Sequence, residues 1–254
     1  SFSGLKTSVI NHVRKHPDVA TADQWEEWIR GERAIGETGE PALSQMPAML
    51  RRHAGRLGRL SCDVAYRVLG DLTNVPMVFC SRYGEVHRSV DLLTLLANAQ
   101  DLSPTSFGLS VHNAIVGLFS MARKDTANAI AIAAGDESCV EVPRAQGHEF
   151  GIVEACTLLA DGASAVLLVV ADCPLPSIYD GFVDHDPVAL AWACLMVPAA
   201  EDAVTLEWET RDDDGHSAER LPSAQVGALR FLLGREREFV QGGDHRLWRW
   251  RRDA

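Results

Sequence analysis

The sequence predicts an α/β protein in which helices cover a mixed, mostly parallel β-sheet. Short apolar runs of strand length alternate with segments whose apolar residues recur at helical spacing. Glycine follows several of the helical segments, as is common where a helix ends. The run at 165–171 is apolar nearly throughout, which is typical of a strand buried on both faces. Alternation of the two kinds of segment through the middle of the chain favours a layered domain.

The sequence of the first half of the chain predicts two strands and several helices. Residues 1–40 lack a sustained pattern and are expected to be peripheral, apart from a short helix near Trp25. The other predicted elements are a helix within 41–69 capped by Gly70, a strand at 75–80, helices at 89–98 and 110–124, and a strand at 129–134. Gly117 costs its helix about 1 kcal/mol relative to alanine, which predicts a close approach by a neighbouring backbone.

The second half predicts more strands than helices. Ser223 is placed as the N-cap of the last helix. The predicted elements are a helix at 152–159, strands at 165–171, 189–197 and 203–210, a helix at 223–233, and a last edge strand in the tail at 245–252. The stretch at 140–151 contains Pro143 and is expected to be a loop or cap.

Composition excludes several classes of function. The 254 residues suffice for one substantial core. We divide the chain into a peripheral segment at 1–40 and a domain at 41–254. A net charge of −11 makes nucleic acid an improbable partner. No apolar run approaches the roughly 20 residues of a membrane helix, and the start does not resemble a signal peptide, so we expect a cytoplasmic protein.

Common catalytic and metal-binding motifs are absent from the sequence. There is no GxSxG, GxxxxGK[ST] or HExxH string, and no GxGxxG string follows a predicted strand. The six cysteines form no CxxC pair and three of them lie in apolar stretches, so we expect neither disulfides, nor a metal, nor another cofactor. Asp136 and Glu137 follow a predicted strand, where a helix N-terminus explains them more simply than acid–base catalysis.

Two clusters of arginine have two interpretations. One cluster lies at 51–59 and the other at 246–252. Either these residues belong to solvated surfaces, or they form a docking patch for an acidic partner.

Several strings of the sequence resemble the N-terminal half of β-ketoacyl synthases. More specifically, the sequence resembles short β-ketoacyl synthase-like proteins that serve as chain length factors in aryl polyene and related type II fatty acid or polyketide pathways. It covers roughly 40–254, and its most specific string is SPTSFGLSVHNA, supported by PALSQMPAMLRRHAGRLGRL, VPMVFCSRYGEVHRSVDLL, AIAIAAGDES and the terminal WRW. It implies a half of the thiolase-like fold.

The resemblance also implies that the catalytic nucleophile has been lost. Condensing enzymes of this kind carry a cysteine at a strand-to-helix turn, and the matching position here is Gly135 or Asp136. Neither side chain can form a thioester. Cys139 lies a few residues further on and is the alternative position for a nucleophilic thiol. The histidine motifs of the C-terminal half are absent.

The function implied is that of a non-catalytic subunit. It would form a heterodimer with a β-ketoacyl synthase and close one side of the acyl tunnel, using Phe107, Leu109, His112, Asn113, Val116 and Phe119. Docking of an acyl carrier protein is assigned to Arg51, Arg52, Arg56 and Arg59. Two alternatives remain: a minimal acyltransferase or malonyl decarboxylase that uses Cys139, His112 or His148, and a carrier-docking module without a tunnel.

Overall fold

The computed structural model describes residues 5–15, 22–30, 32–33, 40–133, 147–182, 189–200, 203–210, 224–243 and 246–252. Strands in these ranges are β1 (Leu5–Lys15), β2 (Met77–Cys80), β3 (Ala129–Ile132), β4 (Val166–Asp172), β5 (Leu190–Pro198), β6 (Val204–Thr210), β7 (Glu238–Gly243) and β8 (Arg246–Arg252). Helices are α1 (Ala22–Ile29), α2 (Ala48–Arg51), α3 (Arg56–Leu69), α4 (Val86–Ala97), α5 (Pro104–Gly108), α6 (Ala114–Arg123), α7 (Gly147–Ala160) and α8 (Ala224–Leu233), and a 3₁₀ helix spans Ser177–Phe182.

The described strands form one mixed sheet in the order β3-β2-β4-β5-β1-β6-β8-β7. β2 pairs in parallel with both β3 and β4. The other neighbouring pairs are antiparallel. The predicted α/β class and mixed sheet are therefore confirmed. Parallel pairing occurs at the β3-β2-β4 end, where helices connect β2 to β3 and β3 to β4 by crossovers.

Helices cover the sheet on two faces, and each face has its own apolar core. Alternate residues of β4 enter opposite cores, since successive side chains of a strand point to opposite faces. Val166, Leu168 and Val170 pack with residues of α1, α7 and α8. On the other face, Leu167 and Val169 pack beneath α3 and α6. The prediction of a strand buried on both faces at 165–171 is confirmed.

The expectation of a peripheral N-terminal segment is wrong for the residues described. β1 lies inside the sheet, between β5 and β6. In α1, Trp28 is buried in the core beside α8, where the guanidinium of Arg230 lies 4.9 Å from the centre of its ring. The sequence of β1 mixes polar and apolar residues, so its place in the sheet depends on two neighbours that are distant in sequence.

Two predicted boundaries also change. The helix predicted within 41–69 is one short turn, α2, followed by α3, which begins after Gly55 and ends at Gly70 with a φ of 51°. The predicted tail strand exists as β8, but β7 covers its outer side, so it is not the edge. None of the described helices has both the length and the hydropathy that crossing a bilayer requires.

Candidate functional site at the carboxyl edge of the sheet

The carboxyl ends of β2, β3 and β4 meet at one edge of the sheet because these strands are parallel. We call this the carboxyl edge. Polar residues follow two of the buried strands there: Ser81 comes directly after β2, and Asp172 is the last residue of β4. Of the residues that the sequence marks as candidates, His112 contacts the turn that follows β2 at this edge.

Asp172 accepts hydrogen bonds from the turn that follows β2. Its Oδ1 atom accepts from the hydroxyl of Ser81 at 2.9 Å and from the backbone N–H of Arg82 at 2.8 Å. The backbone N–H of Tyr83 also bonds to this carboxyl group. Burial raises the pKa of Asp172, while these hydrogen bonds act in the opposite direction. The hydroxyl of Ser81 in turn accepts from the N–H of Gly84 at 2.9 Å.

His112 rests against the same turn. Its Nε2 atom lies 2.8 Å from the carbonyl oxygen of Ser81, and its ring centre lies 5.9 Å from that of Phe79. Gly84 has a φ of 53°, and a Cβ atom there would lie 2.7 Å from Cδ2 of His112. Only glycine combines this backbone conformation with such close contact. His112 is therefore held by the body of the protein, although sequence analysis assigned it to a partner.

The other residues assigned to a partner interface divide into exposed and buried sets. Phe107 in α5 has 65% of its surface exposed, Asn113 is exposed, and Leu109 is half-buried. Val116 and Phe119 lie in the core beneath α6. Any effect of these two on an interface is consequently indirect.

The described surface around α5 and α6 contains several exposed apolar groups. We define the α5–α6 surface as Phe107, Val111, Gly117 and Met121, all exposed. No atom lies within 4 Å of the position that a Cβ on Gly117 would occupy, so the close neighbour predicted for this glycine is not supplied by the described part of the chain. α6 contacts β3, the terminal strand of the described sheet.

The four arginines assigned to carrier docking differ in their surroundings. Arg59 forms an ion pair with Glu40 at 3.3 Å, and its guanidinium donates to the carbonyl oxygens of Pro41, Arg51 and Ala54. Arg51 donates to a carbonyl oxygen as well, and Arg51 and Arg56 are half-buried. Arg52 is exposed. Arg59 therefore fixes the segment before α3, and Arg52 is the most accessible of the four.

The carboxylate of Glu85 lies beside the N-terminus of α3. Its Oε2 atom lies 3.5 Å from the position that a Cβ on Gly55 would take, beside the N-terminus of α3, which has no side-chain cap. A carboxylate there interacts favourably with the helix dipole. Burial raises the pKa of Glu85, and its ion pair with Arg88 opposes that shift. Arg88 also donates to the carbonyl oxygen of His53 at 3.1 Å.

The arginines of β8 are largely occupied by partners within the chain. Arg249 lies 3.1 Å from Glu238, and Arg251 lies 2.6 Å from Glu207. Arg252 donates to two carbonyl oxygens in the last turn of α8, where positive charge is favourable. The interpretation of this cluster as part of an ordinary sheet surface is therefore the better one.

No activated thiol occurs among the described cysteines whose pKa is shifted. Burial raises the pKa of Cys62, Cys173 and Cys194 to about 12 and that of Cys156 to about 11. A nucleophilic cysteine needs a lowered pKa. The turn with Gly135, Asp136 and Cys139 lies outside the described residues, as does the side chain of His148. Within the described ranges, no group of three potential ligands could hold a metal ion.

An apolar pocket lies between the sheet and the helices α7 and α8. It is lined by residues that include Ile152, Trp192 and Leu232, and its volume is about 10 Å³. A space of that size holds about one water molecule. The pocket is therefore too small to hold an acyl chain.

The roles of Ser81, Gly84 and Asp172 are not predicted by the sequence alone. The available signal was their position, because polar residues that end two neighbouring parallel strands come together at the carboxyl edge. That signal requires knowing that β2 and β4 are neighbours, although 85 residues separate Ser81 from the start of β4.

Comparison with known proteins connects this architecture to a family. Residues 25–251 match the model of the β-ketoacyl synthase N-terminal domain. A search of curated protein sequences finds no significant match.

Solved structures resemble the chain over most of its length. The structure of a ketosynthase (ApeO) in complex with its chain length factor (ApeC) from Xenorhabdus doucetiae contains a chain that matches with a TM-score of 0.78 and 25% identity, covering 98% of this chain and 100% of that one. A β-ketoacyl synthase from Burkholderia phymatum matches with a TM-score of 0.59 and 12% identity, covering 90% and 69%. The ketosynthase from module 6 of the bacillaene synthase of Bacillus subtilis matches with a TM-score of 0.56 and 10% identity, covering 85% and 43%.

Proposed function

Because the chain belongs to the β-ketoacyl synthase N-terminal domain family, we propose that it is a non-catalytic chain-length-factor-like subunit. It pairs with a β-ketoacyl synthase and shapes the acyl tunnel during fatty acid, polyene or polyketide chain elongation. The observation that carries this proposal is the end-to-end match to one chain of a ketosynthase and chain length factor complex. By contrast, the chain spans only 43% of the bacillaene ketosynthase it resembles.

The chemistry of the described residues supports a non-catalytic role. His112 is engaged by the carbonyl oxygen of Ser81 and lies against Gly84. The shifted thiols are all less acidic than an ordinary cysteine. Covalent acyl transfer requires a thiolate and a base that are both accessible to substrate, and these groups meet neither requirement.

The surface supports pairing with another protein. β3 is the terminal strand of the described sheet, and an unpaired strand edge offers hydrogen-bonding groups to another chain. The α5–α6 surface lies beside it through the contact between α6 and β3. Gly117 and Met121 are separated by one helical turn, and both are exposed, so a partner helix can approach α6 closely at this point.

Phe107 is the best candidate for a residue that reaches the tunnel. It is large, apolar and 65% exposed, and α5 holds it through an N-cap hydrogen bond from Ser106 N–H to the hydroxyl of Ser103. A rigid aromatic group at the end of a tunnel limits chain length by excluded volume. Leu109 and Asn113, on the same segment, are proposed to line the interface with it.

Carrier docking is proposed for Arg52 together with Arg51 and Arg56. Acyl carrier proteins are generally acidic, so a basic surface attracts them over a Debye length of about 10 Å. We expect the complex to act in the cytoplasm, with the carrier delivering acyl groups to the ketosynthase subunit. Arg59 is assigned a structural role instead, because its guanidinium is occupied by main-chain carbonyl groups.

Titration of the cognate ketosynthase with Phe107→Glu tests the pairing. We expect the wild-type chain to form a one-to-one complex and the variant to bind at least about tenfold more weakly, since a central aromatic residue is a typical hot spot. Ile178→Glu is the matched control, because Ile178 is 71% exposed on another part of the chain. A wild-type chain that remains a monomer beside its ketosynthase contradicts the proposal.

A further inference from the structure

The turn after β2 is fixed to the centre of the sheet by one side chain. Asp172 and Ser81 continue from strands that are deeply buried, since Val170 and Cys80 are 3% and 1% exposed. The carboxyl group of Asp172 accepts from the hydroxyl of Ser81 and from the backbone N–H of Arg82. A carboxylate can accept several such bonds at once, which no apolar residue could do.

The same turn supports His112 by two contacts. The first is the 2.8 Å contact between Nε2 of His112 and the carbonyl oxygen of Ser81. The second is the packing of the imidazole ring on Gly84, where even one added carbon atom would overlap it. The N–H of Gly84 is itself bound to the hydroxyl of Ser81. The position of the ring therefore depends on the conformation that Asp172 imposes on the turn.

His112 stands between exposed neighbours. Val111 is 47% exposed, and Asn113, the N-cap of α6, is exposed as well. Phe107 belongs to the same loop-and-helix segment. His112 consequently joins an otherwise exposed segment to the body of the protein.

We propose that Asp172 is a positioning residue, which acts through Ser81, Gly84 and His112 to set the placement of the exposed segment at 107–113. The part of this inference that concerns a partner rests on the proposed function, since that segment is the proposed contact with a ketosynthase. The part that concerns the turn does not depend on any partner. Carboxylate burial at this point is costly, and the cost is offset by the hydrogen bonds that Asp172 accepts from Ser81 and Arg82.

The test begins with the isolated chain. Amide hydrogen exchange at Arg82 and Gly84, with NMR signals of residues 107–113, is compared between the wild type and Asp172→Ala. We expect exchange at both amides to accelerate at least about tenfold, the change equivalent to ~1.4 kcal/mol, and the signals at 107–113 to shift. Asp161→Ala is the matched control, because Asp161 is an exposed aspartate at the end of α7.

A conservative variant separates positioning from general stability. Asp172→Asn keeps the Oδ1 acceptor, so its exchange rates are expected to stay within about threefold of the wild type. Ser81→Ala removes the link to Gly84 with little change in volume and serves if Asp172→Ala does not fold. Unchanged exchange and unchanged signals in both alanine variants overturn the proposal. It is also overturned if the amides of Asp172→Asn exchange as fast as those of Asp172→Ala.

The partner is added only afterwards. Asp172→Ala is expected to bind the cognate ketosynthase at least about tenfold more weakly than Asp172→Asn. Equal affinities alongside a loosened turn overturn the link between the turn and the partner. If the wild-type chain itself forms no complex, the proposed function fails, while the exchange result in the isolated chain still decides the role of Asp172.

Discussion

Gly151 of α7 packs against Cys80 of β2, and replacing it by alanine tests this packing directly. A Cβ atom at this position would lie 2.0 Å from Sγ of Cys80 and 3.2 Å from Cδ1 of Leu168. Nonbonded heavy atoms prefer about 3.5–4.0 Å, so the sulfur and the new carbon must separate by roughly 1.5 Å. Overpacking of this kind costs up to ~3 kcal/mol, and alanine regains ~1 kcal/mol in helix propensity.

Gly151→Ala is therefore expected to lower the free energy of unfolding by about 2 kcal/mol. Removing the sulfur with Cys80→Ala should relieve the overlap, because the next nearest atom of that residue, Cβ, is 3.7 Å away. Urea denaturation of both single variants and the double variant gives the coupling energy, which we expect to be about 3 kcal/mol in favour of the double variant, because the coupling contains the whole overpacking cost. Gly117→Ala is the control and should be neutral or stabilising, since a Cβ atom added at this position would have no atom of the described residues within 4 Å. Additivity within about 0.5 kcal/mol refutes the close packing of α7 on β2.

Three further predictions concern thiols, pH and charge. Four of the described thiols have a raised pKa: Cys62, Cys156, Cys173 and Cys194. Iodoacetamide at neutral pH should modify them far more slowly in the folded chain than in urea, as measured by mass spectrometry, and rapid labelling of the folded chain contradicts their raised pKa. Hydrogen bonds from backbone N–H groups lower the pKa of Asp125, so its contribution is present above the pKa of the unfolded chain and is lost as pH falls through the folded value. Unfolding free energies from about pH 5 to pH 2 should therefore fall more for the wild type than for Asp125→Asn, and parallel curves would exclude this role. Arg52→Glu should weaken binding of an acidic carrier without changing the melting temperature, whereas Arg59→Ala should lower that temperature; an unchanged melting temperature for Arg59→Ala contradicts its structural role.

The sequence predicts the central strands well because burial on both faces leaves a continuous apolar run. β4 and β5 are almost wholly buried and were located to within one residue at each end. β1 was missed because its sequence, LKTSVINHVRK, contains polar residues throughout, and its partners β5 and β6 are distant in the chain. β7 was missed because its sequence, EFVQGG, ends in two glycines, which ordinarily indicate a turn.

The candidate site was predicted as a segment of the sequence but not as a set of contacts. Helical periodicity could have assigned Val116 and Phe119 to the core, since they share a face with Ile115 and lie opposite Gly117. The partner of His112 could not be predicted, because Ser81 is 31 residues away and the contact depends on a backbone carbonyl. A side chain that binds a main-chain atom far away in the sequence produces no characteristic spacing of residue types, so sequence patterns cannot reveal the contact.

The subunit role is tested most directly by a condensation assay with separated components. Malonyl- and acyl-loaded carrier proteins are incubated with this chain alone, with the cognate ketosynthase alone and with both, and products are measured by mass spectrometry. We predict no elongation and no acyl adduct on this chain by itself, and products of defined length when both subunits are present. Elongation by this chain alone, or a thioester on Cys139, contradicts the proposed function.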